Sequence, residues 1–122
     1  MVLCKIIIFL LFTGFFGHAQ TVNISVSAST GREAVATAIT ITATASGAVT
    51  GDQTVSLAVT GNTIASTDYT LSSSAITILN GATTGTASFT VINDTDLEGS
   101  EYVTLSIANP TSGISLGATT KV

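Results

Sequence analysis

Apolar and polar residues alternate with period two along most of the chain after residue 20. Val22, Ile24 and Val26 are separated by Asn23 and Ser25, and Ile39, Ile41 and Ala43 by Thr40 and Thr42. Val55, Leu57 and Val59 follow with Ser56 and Ala58 between them. The pattern returns in Ile76-Thr77-Ile78, in Ala87 to Val91 and in Val103 to Ile107. Successive side chains of a strand point to opposite faces, so this alternation predicts antiparallel strands with one face buried and the other in water. Thr and Ser fill about a third of residues 20–122, and Thr, like Val, favours a pleated, half-buried surface. Turn chemistry divides the runs at Gly47 to Asp52, at Gly61-Asn62, at Asn80-Gly81 with Gly85, and at Asn109-Pro110. No stretch keeps a helical apolar period for long. The expectation is an all-β fold, an antiparallel β-sandwich of about seven strands. A disordered Thr/Ser-rich stalk, the other reading of such a composition, lacks apolar alternation of this kind.

Residues 1–19 follow a different plan. Lys5 and the amino terminus carry positive charge, Ile6 to Phe16 is almost entirely apolar, and Gly17 and Ala19 place small residues before Gln20. That is the layout of a cleavable signal peptide. A membrane span needs about 20 apolar residues, and polar sequence begins here at His18. Cys4 precedes the apolar run, whereas a lipid-modified cysteine would follow it. Residues 1–19 are therefore expected to be removed on export, leaving residues 20–122 secreted or at the cell surface, with no membrane insertion after processing.

Removing the leader changes what chemistry remains. Cys4, Met1, His18 and Lys5 leave with it. Residues 20–122 keep two cations, Arg32 and Lys121, against seven carboxylates, a formal charge of −5. Nucleic acid and anionic membrane surfaces are poor partners for that charge. With no cysteine left, packing alone must hold the fold, and about a hundred residues suffice for one modest core. Without His or Cys there is no Ser-His or Cys-His nucleophile and no zinc site of those residues. A carboxylate pair such as Asp94 and Glu101 remains for glycosidase-type chemistry, but only Tyr69, Phe89 and Tyr102 could flank it. Phe89 reads as core and Tyr102 as strand surface, so the domain is expected not to be an enzyme.

One segment departs from the Thr/Ser background. Phe89 to Asn109 reads FTVINDTDLEGSEYVTLSIAN and gathers Asp94, Asp96, Glu98 and Glu101. Its Asp94-Thr95-Asp96-Leu97-Glu98-Gly99 start matches an EF-hand loop, but the twelfth position, a bidentate glutamate in that motif, is Leu105. The flanks also alternate as strands, which excludes the EF-hand. The acidic loop Asn93 to Glu101, followed by Tyr102 and a strand ending at Asn109-Pro110, resembles the Calx-beta domain. So does Thr67-Asp68-Tyr69, with Ile76, Ile78 and Gly81 after it. The resemblance covers roughly residues 22–122 and implies an immunoglobulin-like β-sandwich with calcium held at one end by clustered carboxylates.

On that resemblance the calcium ligands would come from Glu33, Asp68, Asn93, Asp94, Asp96, Glu98 and Glu101. Calcium takes six to eight oxygens at about 2.3–2.6 Å without strict geometry, which a loop of stacked carboxylates supplies. No Lys or Arg neighbours the loop in sequence, and two charges at about 4 Å repel by about 1 kcal/mol in water, more when partly buried. The other reading is a solvated loop whose carboxylates spread apart. Asn93 replaces a frequent aspartate of the family, Arg32 adjoins Glu33, and the aspartates often found after the last strand are absent. These departures imply a weak, millimolar site. Ala118 to Val122 reads as the opening of a last strand beside Val103 to Ile107, and the natural chain is expected to continue past Val122.

The functional expectation is a non-catalytic extracellular structural or adhesion module with a weak calcium site. Its partners would be neighbouring domains of a longer chain, or a cell-surface or extracellular protein or glycan. The alternative is a ligand-binding module for carbohydrate or protein that works without calcium. Asn23-Ile24-Ser25 and Asn93-Asp94-Thr95 fit the glycosylation sequon, a motif too short to discriminate.

Overall fold

The alternating runs become strands in the register their apolar faces demand. The structure is a computed structural model describing residues 18–62, 64–94 and 101–122, and the signal peptide read at residues 1–19 lies almost wholly outside these. The strands are β1 (Gln20–Val26), β2 (Ala38–Ala45), β3 (Gln53–Asn62), β4 (Tyr69–Leu71), β5 (Ala75–Ile78), β6 (Thr84–Val91), β7 (Tyr102–Ala108), β8 (Ile114–Leu116) and β9 (Thr120–Lys121). A 3₁₀ turn, Glu33–Val35, precedes β2. One sheet has the order β4-β6-β2-β1-β8 and the other β5-β3-β7-β9. All pairs are antiparallel except β1 with β8, which is parallel. The fold is an all-β sandwich.

Its core is built from the predicted apolar positions. Val22, Ile24, Ile41, Val55, Leu57, Ile76, Ile78, Phe89, Leu105 and Ile107 are buried, joined by Val49 and Ile114 from loop and short strand. Each such side chain stabilises by roughly 1.5–3 kcal/mol when fully buried, and a one-residue slip would turn the whole set to solvent. Val26, Val59, Val91 and Val103 continue the same alternation but are only half-buried. All four lie toward one end of the sandwich, where β1, β3 and β6 finish and β7 begins. The core thins there.

The opposite end is stapled shut. Val49 N–H donates to the Ala82 carbonyl (2.9 Å) and Gly81 N–H to the Val49 carbonyl (2.8 Å). Gly51 N–H donates to Asn80 Oδ1 (2.8 Å), and Asn80 N–H to Asp52 Oδ1 (2.9 Å). Gly81, at φ 79°, makes the tight turn that permits this pairing. Gln53 is buried to 9 % exposure. Its Nε2 donates to the Thr50 carbonyl (2.7 Å), while Oε1 accepts from Thr111 Oγ1 (2.6 Å) and Gly113 N–H (3.2 Å). An amide so satisfied ties the β2–β3 and β7–β8 loops to the start of β3.

Two glycines read as turn residues prove to lie inside strands. Gly61 is in β3, and a Cβ there would sit 2.6 Å from both Ile64 Cγ2 and the Tyr102 carbonyl oxygen. Gly85 is in β6 opposite Ala43. A Cβ on it would collide with the Thr77 carbonyl of β5 in the other sheet. Both are strand positions where neighbouring backbone comes too close for a side chain. The strand expected near the C-terminus is present as β9, with Lys121 opposite Leu105 and Thr120 opposite Ser106.

Candidate functional site: the open end of the sandwich

Three loops meet where the core thins, and backbone bonds stitch them together. In the loop between β1 and β2, Arg32 N–H donates to Thr37 Oγ1 (2.9 Å), and that hydroxyl donates to the Arg32 carbonyl (3.1 Å). Val91 N–H donates to the Thr37 carbonyl (3.0 Å), tying this loop to the end of β6. Ile92 N–H then donates to the Asp68 carbonyl (2.8 Å), tying the start of the acidic loop to the turn before β4. Ala36, in the first loop, adopts φ 43°, a conformation costing roughly 1–2 kcal/mol for a residue with a side chain.

Between these loops lies a cleft of about 630 Å³, a volume within the range of ligand sites. Ile39, Phe89 and Leu105 line its depth, and Val26, Val91 and Val103 its walls. Tyr69 stacks on Phe89 with ring centroids 4.8 Å apart, which fixes Phe89 in the core as expected. Tyr102 stands at the rim, 71 % exposed. Arg32, Asp68, Glu101 and Lys121 also line the cleft.

The expected ligands are distributed unevenly around this end. Asp68 is only 7 % exposed, and its carboxylate closes its own turn. Oδ2 accepts from Ala65 N–H (2.5 Å) and Oδ1 from Thr67 Oγ1 (2.9 Å). Glu101 is half-buried immediately before β7 and shares the cleft with Asp68. Asn93 and Asp94 are exposed just beyond β6, and Glu33 opens the 3₁₀ turn of the first loop. Asp96 and Glu98 lie outside the described residues. Among the described residues, no three acidic, His or Cys side chains form a metal-holding group.

The charge of the cleft differs from that of the acidic loop taken alone. Arg32 and Lys121 are the only cations of residues 20–122, and both line it. Neither adjoins the acidic loop in sequence. Lys121 arrives because β9 pairs with β7, and Arg32 because Thr37 anchors its loop to β6. The cleft therefore offers two anionic and two cationic side chains around an apolar interior. No family model matches the chain, and neither a curated protein nor a solved structure matches it. The functional reading rests on this end of the molecule.

Proposed function

We propose that the chain is a non-catalytic extracellular structural or adhesion module, of the kind the Calx-beta resemblance implies, with a weak calcium site at the open end. The bond from Ile92 N–H to the Asp68 carbonyl is the observation that carries this reading. It sets the start of the acidic loop against the Asp68 turn, while Glu101 at the loop's far end shares a cleft with Asp68. A cation held by Asp94, Asp96, Glu98 and Glu101 would then bridge the two ends of one loop and rigidify the end at which a neighbouring domain or surface is met. The export half of the proposal is supported by β1, which starts at Gln20, the residue expected to follow the leader cut.

Arg32 and Lys121 in the same cleft favour a second reading, a ligand-binding module that needs no metal. Melting curves separate the two. A ligand bound only by the folded state raises its stability by mass action, so calcium at about 10 mM, about ten times a millimolar Kd, adds about 1.4 kcal/mol. Millimolar calcium should raise Tm by several degrees, and Asp94→Asn with Glu101→Gln should abolish the rise. Superimposable curves with calcium and with chelator would reject the calcium site and leave the metal-free reading.

A further inference from the structure

We propose that Asn80 is a conformation-gated modification site. While the stapled end is closed, its side-chain amide is shielded from attack by Gly81 N. Once that end opens, Asn80 rearranges to isoaspartate, and the staple cannot close again. This goes beyond the calcium reading and does not depend on it.

The chemistry needs only the chain and water. Asn80-Gly81 is the single Asn-Gly pair of the sequence. Glycine has no side chain to crowd its nitrogen, so a deprotonated Gly81 N can reach the Asn80 side-chain carbon Cγ. The N–Cγ bond forms, Nδ2 takes up a proton and leaves as ammonia, and a five-membered succinimide remains. Water then opens the ring at either carbonyl. Opening at the original main-chain carbonyl gives isoaspartate, with the main chain rerouted through Cβ, and opening at the other gives aspartate. One water is consumed and one ammonia released, with no oxidant or reductant.

The closed staple blocks each part of that attack. Gly81 N–H is committed to the Val49 carbonyl (2.8 Å), so the proton that must leave is held. Asn80 Oδ1 accepts from Gly51 N–H (2.8 Å), which fixes the side chain across the neighbouring loop. Asn80 N–H donates to Asp52 Oδ1 (2.9 Å), which fixes the backbone and sets a carboxylate beside it. A nearby negative charge opposes the one that must develop on Gly81 N.

Burial adds nothing to this protection. Asn80 and Gly81 both lie at the surface, so the shielding lasts only as long as the bonds do. Val49 N–H donates to the Ala82 carbonyl (2.9 Å), and opening breaks this bond and the three above together. Loops open locally without global unfolding. Because they reclose faster than the attack proceeds, the modification rate follows the open fraction.

The product cannot return to the closed form. Isoaspartate lengthens the main chain between Cα of residue 80 and Gly81 N by one bond, about 1.5 Å. Gly81 N–H and the Ala82 carbonyl then no longer face Val49 together, and hydrogen bonds weaken steeply as their geometry is lost. The oxygen that met Gly51 N–H is also drawn into the main chain.

The test incubates the purified exported chain at mildly alkaline pH in water labelled with oxygen-18, beside a peptide of residues 76–86. Each event leaves one labelled oxygen at residue 80, read by peptide mass mapping. The folded chain should react at least about a hundredfold more slowly than the peptide. Asp52→Ala removes one bond and the carboxylate, and should raise the folded rate at least about tenfold while the Ile41 amide in β2 stays protected from exchange. The isoaspartate form, isolated from the aged chain, should lose protection at the Val49 and Gly51 amides and keep it at Ile41. Should Asp52→Ala fail to fold, the parent chain in urea below its unfolding midpoint makes the same comparison, its rate rising as the staple opens. Equal rates in chain and peptide would overturn the proposal. So would a rate unmoved by folded Asp52→Ala or, where that variant unfolds, by urea, and so would an isoaspartate form still protected at Val49 and Gly51.

Discussion

Replacing Asp68 with alanine separates the two roles open to this carboxylate, closing a turn and holding a metal. In the structure Asp68 accepts from Ala65 N–H and Thr67 Oγ1 and is 7 % exposed. A hydrogen bond to a charged group contributes about 1.5–3 kcal/mol. Ala65 and Thr67 are themselves exposed, so water replaces part of what each donor loses, and the lower end of that range applies to both. Asp68→Ala should therefore cost about 3 kcal/mol in the absence of calcium. Asp68→Asn keeps one acceptor oxygen, and the Thr67 hydroxyl can rotate to accept from the new amide, so its cost should be about 1 kcal/mol. Urea unfolding in chelating buffer reads both as shifts in midpoint at constant slope. The corresponding fall in Tm is about 4–8 °C per kcal/mol for a domain of this size. A cost below about 0.5 kcal/mol for Asp68→Ala would refute the turn-closing role, that being the scatter of featureless surface substitutions.

Two further substitutions probe the frame that holds the site. Gly85→Ala forces a methyl into the Thr77 carbonyl across the two sheets, and overpacking against backbone should cost about 3 kcal/mol or more by urea unfolding. A neutral result would mean that the sheets separate locally at little cost. Gln53→Leu keeps the volume but removes three hydrogen bonds at the closed end. It should cost about 2–3 kcal/mol, with faster amide exchange at Gly113 as the local signature.

What could be read ahead of the structure was whatever rested on local alternation. The strands built on Val22, Ile41, Val55, Ile76, Phe89 and Leu105 are where period two placed them, because each run is long enough to show its apolar face. β4 and β8 have three residues each, too short for alternation to register, and they exist only because β6 and β1 offer edges to pair with. Gly85 misled because its function is a distance to the opposite sheet, which no local pattern encodes. At the open end, Ile92 N–H bonds the Asp68 carbonyl and sets the start of the acidic loop beside the Asp68 turn. The arrival of Arg32 and Lys121 in the same cleft is not legible in the sequence, since it depends on how distant segments pair. Asp68 carried its own clue: Ala65-Ser66-Thr67-Asp68 is a four-residue stretch whose last carboxylate can reach back to the first N–H.

The parallel pairing of β1 with the C-terminal segment has a mechanical consequence. β1 enters the fold at the stapled end, and the C-terminal segment leaves it at the open end after running alongside β1 in the same direction. Tension between the two ends pulls these neighbours oppositely along their common axis. The bonds from Gln20 N–H to the Gly113 carbonyl, Gly117 N–H to the Val22 carbonyl, Ile24 N–H to the Ala118 carbonyl and Ala118 N–H to Asn23 Oδ1 lie across that axis. Such a load is shared by all four at once, in shear, instead of being taken by one after another as in a zipper. Rupture then requires them to fail together, and the speed of that step sets how long the domain survives under force.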